Sequence, residues 1–148
     1  MPMSEPAAPQ EGDVFEGPSK TLTDAHFLFF SGLTGDVHPI HYDVEYAKTL
    51  PFGKPIAHAL LLVGLTALGA LKNRDRLGRL QFLEQGSRLL SAVVIGDTVR
   101  PVTTLERIWR DDTGLMYRFR TTVVNQRGET VLDGFHVYRV VEHATAKS

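Results

Sequence analysis

The clearest pattern of apolar and polar positions lies between Leu115 and Val124. Leu115, Tyr117, Phe119, Thr121 and Val123 fall on one side of an extended chain, with Met116, Arg118, Arg120 and Thr122 on the other. Such alternation predicts a strand with one buried face. Turn-forming clusters flank it at Asp111-Asp112-Thr113-Gly114 and Asn125-Gln126-Arg127-Gly128. They predict a meander of three long antiparallel strands, Asp97–Trp109, Leu115–Val124 and Thr130–Val141. The apolar run Leu89–Ile95, ahead of Gly96-Asp97, predicts a further strand. The first half reads differently. Thr23 or Asp24 caps a helix running from Ala25 to about Leu33, and Gly35 ends it. Pro39 keeps His38 out of helical backbone, and Asp43 caps a short helix through Tyr46 and Ala47 that Pro51 and Gly53 stop. From Pro55 or Ile56 to Leu71 almost every position is apolar, predicting one long buried helix. A single sheet face does not cover a helix that is apolar all round. A curved antiparallel sheet wrapped about it does, and the expected class is α+β with one core between helix and sheet. An ordinary helix-on-sheet sandwich fits the same pattern, and the strand-rich half leaves an edge that a second copy would protect.

Composition narrows the chemistry. The 148 residues carry 16 Lys and Arg against 17 Asp and Glu, a formal charge of −1, which gives no electrostatic case for nucleic acid or an anionic membrane. With no cysteine, the chain has no disulfide, thiolate zinc site, iron–sulfur cluster or cysteine nucleophile. The Ile56–Leu71 segment is shorter than a membrane span of roughly 20 apolar residues. The Pro-, Ala- and Glu-rich start reads as a disordered tail over 1–12, without a secretory signal. The remaining expectations are one domain over 13–142, a C-terminal tail over 143–148 and a cytoplasmic setting.

Chemistry-bearing residues gather in one loop. Asp36, His38, His41 and Asp43 lie between Ser31 and Tyr46, and His58 follows. Taken singly, the aspartates are turn and cap residues and the histidines ordinary loop residues. His41, Asp43 and His58 superficially match a two-histidine, one-carboxylate metal site. Pro39, however, opposes the helix that would bring His38 and His41 to one face. A third reading is general acid–base catalysis by Asp36 and His41. Hydration of an activated double bond needs a base for water, an acid for carbon, and donors at the carbonyl oxygen. A carboxylate, an imidazole and the free backbone N–H groups of a helix start supply all three.

The run Ser31-Gly-Leu-Thr-Gly-Asp36-Val-His38-Pro-Ile-His41-Tyr-Asp43, then Tyr46-Ala47, Phe52-Gly53 and Ile56-Ala-His58-Ala59, resembles the MaoC-like dehydratase family, which includes the (R)-specific enoyl-CoA hydratases (hydratase 2). The family pattern is approximately G-D-x-N-P-[IL]-H-x-D, then Y-A, F-G and I-x-H-G. Gly96-Asp97-Thr98 and Asn125-Gln126-x-Gly128 extend the likeness, which runs from about Val14 to Val141. The resemblance implies a hot-dog fold, a homodimer or higher homo-oligomer with the site near the protomer interface, and no metal or redox cofactor. It also implies Asp36 and His41 as a catalytic dyad acting on a trans-2-enoyl-CoA or its (R)-3-hydroxy product, CoA being part of the substrate. The backbone N–H of Ala59 is then the oxyanion donor. Which dyad member is acid and which is base is left open.

Two positions depart from the pattern. Ala59 stands where the family has glycine; it keeps the N–H and adds a methyl near the thioester. His38 stands where the family has asparagine; lining the acyl pocket, it would favour a polar or carboxylated chain, and turned outward it supports the loop. His58 either contacts the active-site loop and substrate or satisfies a helix-start hydrogen bond. Arg74 and Arg76, with Arg79, form a basic run that either meets the CoA phosphates or is solvated surface. Tyr46 and Phe52 read as packing residues. Two other functions share this architecture: a hot-dog acyl-CoA thioesterase, and a non-catalytic acyl-CoA-binding partner subunit.

Overall fold

The computed structural model describes residues 7–141. Its elements are β1 (Val14–Glu16), β2 (Lys20–Thr21), α1 (Asp24–Thr34), α2 (Val44–Lys48), α3 (Ala59–Gly64), β3 (Leu80–Leu89), β4 (Thr98–Asp111), β5 (Gly114–Asn125) and β6 (Thr130–Val140). The strands form one antiparallel six-stranded sheet in the order β1-β4-β5-β6-β3, with β2 also pairing with β4. The expected meander is present, in a register that sets Leu105 opposite Phe119 and Tyr117 opposite Tyr138. Its inward residues build two apolar clusters. One joins Phe27 of α1 and Leu62 of α3 to Val99, Val123 and Val131. The other joins Phe15, Leu68, Leu71 and Leu77 to Leu105 and Phe119. Phe27 and Phe119 are fully buried, each stabilising the fold by about 1.5–3 kcal/mol through the apolar surface it withdraws from water. The architecture is the α+β hot-dog fold. No described helix is long and apolar enough to cross a membrane.

The expected caps are in place. Thr23 is the N-cap of α1, Gly35 ends it with φ 80°, and the Asp43 carboxylate accepts from Tyr46 N at the start of α2. The long helix is a correction. Pro55, Ile56 and Ala57 are extended, with Ile56 bridged to Val94 and Ala57 N donating to Val93 O, so α3 begins at Ala59 and has 6 residues. It stops because the Thr66 hydroxyl donates to Val63 O at 2.6 Å and tight turns replace the helical ladder. A 3-10 turn at Leu68–Ala70 then carries Leu68 into the second cluster. Wrapping of the helix is accordingly partial: Leu62 is buried while Leu60 is 66% exposed.

The strand expected at Leu89–Ile95 is also corrected. β3 ends at Leu89, and the apolar residues after it form an irregular segment that inserts Val93 into the core. Of the expected N-terminal tail, residues 1–6 lie outside the described residues, as does 142–148. Residues 7–12 are held to the body: Gly12 N donates to Leu105 O, and the Glu11 carboxylate accepts from Ile108 N.

Candidate active site

The Gly-Asp-x-His loop leaves α1 through the left-handed Gly35, whose N–H donates to Ser31 O. That turn sets Asp36 at the mouth of a cavity of about 450 Å³ whose wall includes Asp36, His41, Ile56, Ala59, Leu62 and Val93. Three bonds hold Asp36. Its N–H donates to the Thr34 hydroxyl, one carboxylate oxygen accepts from His38 N at 3.4 Å, and its carbonyl accepts from His58 Nε2 at 3.2 Å. His41 sits in the 3-10 turn Pro39–His41, buried apart from one edge. Its Nδ1 lies 2.8 Å from Ile56 O. A carbonyl only accepts, so Nδ1 carries a proton, and whenever the ring is neutral it is Nε2 that presents the lone pair. Nε2 is 3.7 Å from Asp36 Oδ2, too long for a direct hydrogen bond and short enough for one water to touch both.

The proton of His58 is placed by the same logic. Nε2 contacts the Asp36 carbonyl and lies 3.0 Å from Ser31 Oγ, which puts the proton on Nε2. Nδ1 is buried with no partner. The ring is enclosed by Phe27 and Phe30 and stacks on His41 at 3.6 Å, with the planes 18° apart. Burial pushes the His58 imidazole below its ordinary value; the hydrogen bond to the Asp36 carbonyl opposes this and the neighbouring His41 adds to it.

Asp36, His41 and His58 bring potential ligand atoms within 4.8 Å of one another. A metal lies in the plane of an imidazole that binds it, at about 2.1 Å. Two rings stacked 3.6 Å apart and nearly parallel have planes that do not meet at that distance, so the two histidines do not share an ion in this arrangement. Asp43, the carboxylate of the metal reading, is instead engaged as the cap of α2.

The structure brings Asp36, His41 and Ala59 to one cavity and takes other candidates elsewhere. His38 does not line it. Its Nδ1 accepts from Ile40 N and its ring packs edge-on to Tyr46, contacts of the kind the loop-supporting reading expects. His58, 1% exposed, is behind the wall and meets the loop through the Asp36 carbonyl. Arg76 pairs with Asp13 at 2.8 Å and donates to the carbonyls of Ala7 and Ala8. Arg74 is exposed in the 3-10 turn whose Leu77 packs in the second cluster, whereas Leu62 and Val93 of the cavity belong to the first. Sequence reasoning missed Ile56, whose contribution is a backbone carbonyl. Phe52, expected only to pack, lies on the cavity wall, as do Leu89 and Leu90 from the start of the expected strand.

Comparison with known proteins gives a consistent picture. The family described as MaoC like domain matches residues 6–127. An (R)-specific enoyl-CoA hydratase from Rhodospirillum rubrum is 29% identical over 126 residues, covering 82% of this chain and 85% of that protein. Among solved structures, a monoamine oxidase regulatory protein from Archaeoglobus fulgius superposes with a TM-score of 0.78 at 31% identity, over 90% of this chain and 92% of that one. An (R)-hydratase from A. caviae, described as involved in PHA biosynthesis, gives 0.78 at 25% identity, over 89% and 97%.

Proposed function

The chain belongs to the MaoC-like domain family, and we propose that it is a hydro-lyase of that family, adding water to a trans-2-enoyl-CoA thioester or removing it from the (R)-3-hydroxyacyl-CoA. The observation that carries this reading is the free Nε2 of His41 facing the Asp36 carboxylate across 3.7 Å at the wall of a cavity. In the hydration direction, His41 Nε2 takes a proton from a water as its oxygen bonds to the β-carbon. The Asp36 carboxylate accepts the water's other hydrogen bond and balances the imidazolium charge. The electron pair of the double bond moves toward the thioester oxygen, where the Ala59 N–H meets it; no acceptor engages that N–H among the described residues. The imidazolium then returns its proton to the α-carbon, so one water is consumed and the dyad is reset. The resemblance to an (R)-specific enoyl-CoA hydratase supports both substrate class and stereochemistry.

The working form is a homodimer or higher homo-oligomer. β3 is an edge of the sheet with Phe82 and Leu83 exposed, and α1 carries Phe29 at 74% and Leu33 at 73% exposure. Apolar groups of that size, on an unpaired edge strand and on a helix surface, favour burial against a second copy. Light scattering on the purified protein checks this.

The deciding experiment follows the ultraviolet absorbance of the enoyl thioester with a panel of straight, branched and dicarboxylic acyl-CoAs, alongside a thiol reagent. Loss of absorbance without thiol release supports the hydro-lyase. Thiol release moves the chain to thioesterases, and binding without absorbance loss makes it a non-catalytic acyl-CoA-binding subunit.

A further inference from the structure

We infer that His58 is a positioning residue: its single buried ring touches both members of the dyad and sets the distance between them. The inference rests on the hydro-lyase reading. Asp36 is held from within its own loop by Thr34 and by its bond to His38 N. The contact that reaches it from another element among the described residues is His58 Nε2 on its carbonyl. The same ring forms the floor under His41, face to face at 3.6 Å. His58 is itself fixed on three sides, by Ser31 Oγ at 3.0 Å, by the edge-on Phe27 and by the tilted Phe30. These three residues belong to α1, the helix that delivers the loop. A displacement of His58 therefore moves the Asp36 carbonyl and the His41 ring together.

The chemical state of His58 suits this task. With its proton on Nε2 the ring is neutral, so when His41 becomes an imidazolium during turnover it rests on a neutral π face and not on a second cation. Proton transfer to His41 then escapes the like-charge penalty that two stacked imidazoliums would carry. The cost is a buried, unpartnered Nδ1. Such a cost is tolerable in a core only where something depends on the ring, and an apolar residue of similar size would remove it.

The test separates the ring's two contacts. His58→Phe keeps the stacked face and loses the Nε2–H; His58→Gln keeps an N–H donor within reach of Asp36 O and loses the face. With a thioester that the wild type hydrates, His58→Phe is expected to lower kcat about 100-fold, the scale of a misplacement of about 1 Å, with KM changed less than about threefold. His58→Gln is expected to recover about tenfold of that loss. In an Asp36→Asn background the further cost of His58→Phe is expected to fall below about threefold, because the aligned group is already gone. A wild-type kcat in His58→Phe, or the same loss in both backgrounds, overturns the inference while leaving the hydro-lyase reading in place. Failure of the wild type to hydrate any thioester sinks that reading instead. Nuclear magnetic resonance then decides the positioning role alone. The Asp36 and His38 amide signals should shift in His58→Phe and return toward wild type in His58→Gln. Unmoved signals in His58→Phe refute it, and this arm needs only folded protein, so His58→Asn replaces any variant that fails to fold.

Discussion

Replacing Asp36 by asparagine changes one atom and one charge, and both changes act on His41. Asparagine keeps the oxygen that accepts from His38 N, so the loop retains its local bond. The other position becomes an NH2 group facing His41 Nε2, now 3.7 Å from Oδ2. A small rotation lets that NH2 donate to the lone pair, so the base is occupied and the charge that balances the imidazolium is lost. General acid–base groups contribute about 100- to 10,000-fold. Because both consequences strike the same lone pair, the expected loss in kcat/KM is at the upper end, about 10,000-fold or about 5.4 kcal/mol. Stability should hardly change. Asp36 is 51% exposed and 3.7 Å from His41 Nε2, a solvent-screened contact whose loss places the effect below about 1 kcal/mol. The measurement is enoyl-CoA absorbance loss at several concentrations, with a thermal melt of both proteins. An Asp36→Asn protein that melts within about 4 °C of wild type and retains more than about a tenth of its kcat/KM refutes the dyad.

The same geometry makes further outcomes measurable. Ala59→Pro removes the proposed oxyanion N–H at the first position of α3, where proline is tolerated and where His58 already has the extended backbone (φ −59°, ψ 137°) that precedes proline. It should stay folded by circular dichroism and lose about 100- to 1,000-fold in kcat, and an unchanged kcat puts the donor elsewhere. Gly134→Ala drives a methyl into the Gly86 carbonyl across the β3–β6 pairing, so chemical denaturation should show a loss of about 1–3 kcal/mol; an unaltered midpoint denies the close approach. His58 and His136 are both lowered by burial in the folded protein. The unfolded chain therefore binds protons first as pH falls. Stability should be fully present above the ordinary histidine value of about 6.5 and decline below it by at most about 1.4 kcal/mol per pH unit for each group. Melts between pH 7.5 and 5 read this directly, and a flat profile contradicts the buried neutral rings.

Much of this architecture is legible in residue order because it depends on local rules. Thr23 stands at the N-cap of α1, the left-handed Gly35 ends it, and the Asp43 carboxylate caps α2, each where its residue type predicts. β5 and the first half of β4 bury alternate positions, and alternation reports β5; β6, which buries Val131-Leu132 and His136-Val137-Tyr138 consecutively, is legible instead from the turn cluster before it. β3 hides because it is an edge: most of its positions, Phe82 and Leu83 among them, are exposed, and no clean alternation survives. The apolar run after it looks like a strand because a short buried stretch has the same composition whether it pairs in a ladder or plugs a gap. In the site, Asp36 and His41 stand out by type and spacing. The stacking of His58 on His41 and the pairing of Arg76 with Asp13 depend on how distant segments meet, which no local pattern encodes.

The most consequential departure is the place where α3 begins. Had the helix started at Ile56, as its apolar run suggests, the Ile56 carbonyl would accept from the N–H of Leu60 in the first turn. It would then be a poor partner for His41 Nδ1, and the tautomer that frees Nε2 would lose its anchor. The structure instead keeps Pro55, Ile56 and Ala57 extended, pinned by the Ile56–Val94 bridge and by Ala57 N on Val93 O. That delay leaves Ile56 O for His41, turns His58 inward as the N-cap, and presents Ala59 as the first helical N–H on the cavity wall. Three contributions to one site thus come from a run of four residues, and the irregular segment around Val93 holds that run in place. Substituting Val93, 1% exposed, by alanine opens space directly behind Ala57 and lets the extended run relax toward helix. The expected cost is about 1–3 kcal/mol in stability, with a loss of kcat of at least tenfold even in protein that is fully folded. Full activity in a destabilised Val93→Ala protein would mean that the carbonyl of Ile56 is held by something other than this bridge.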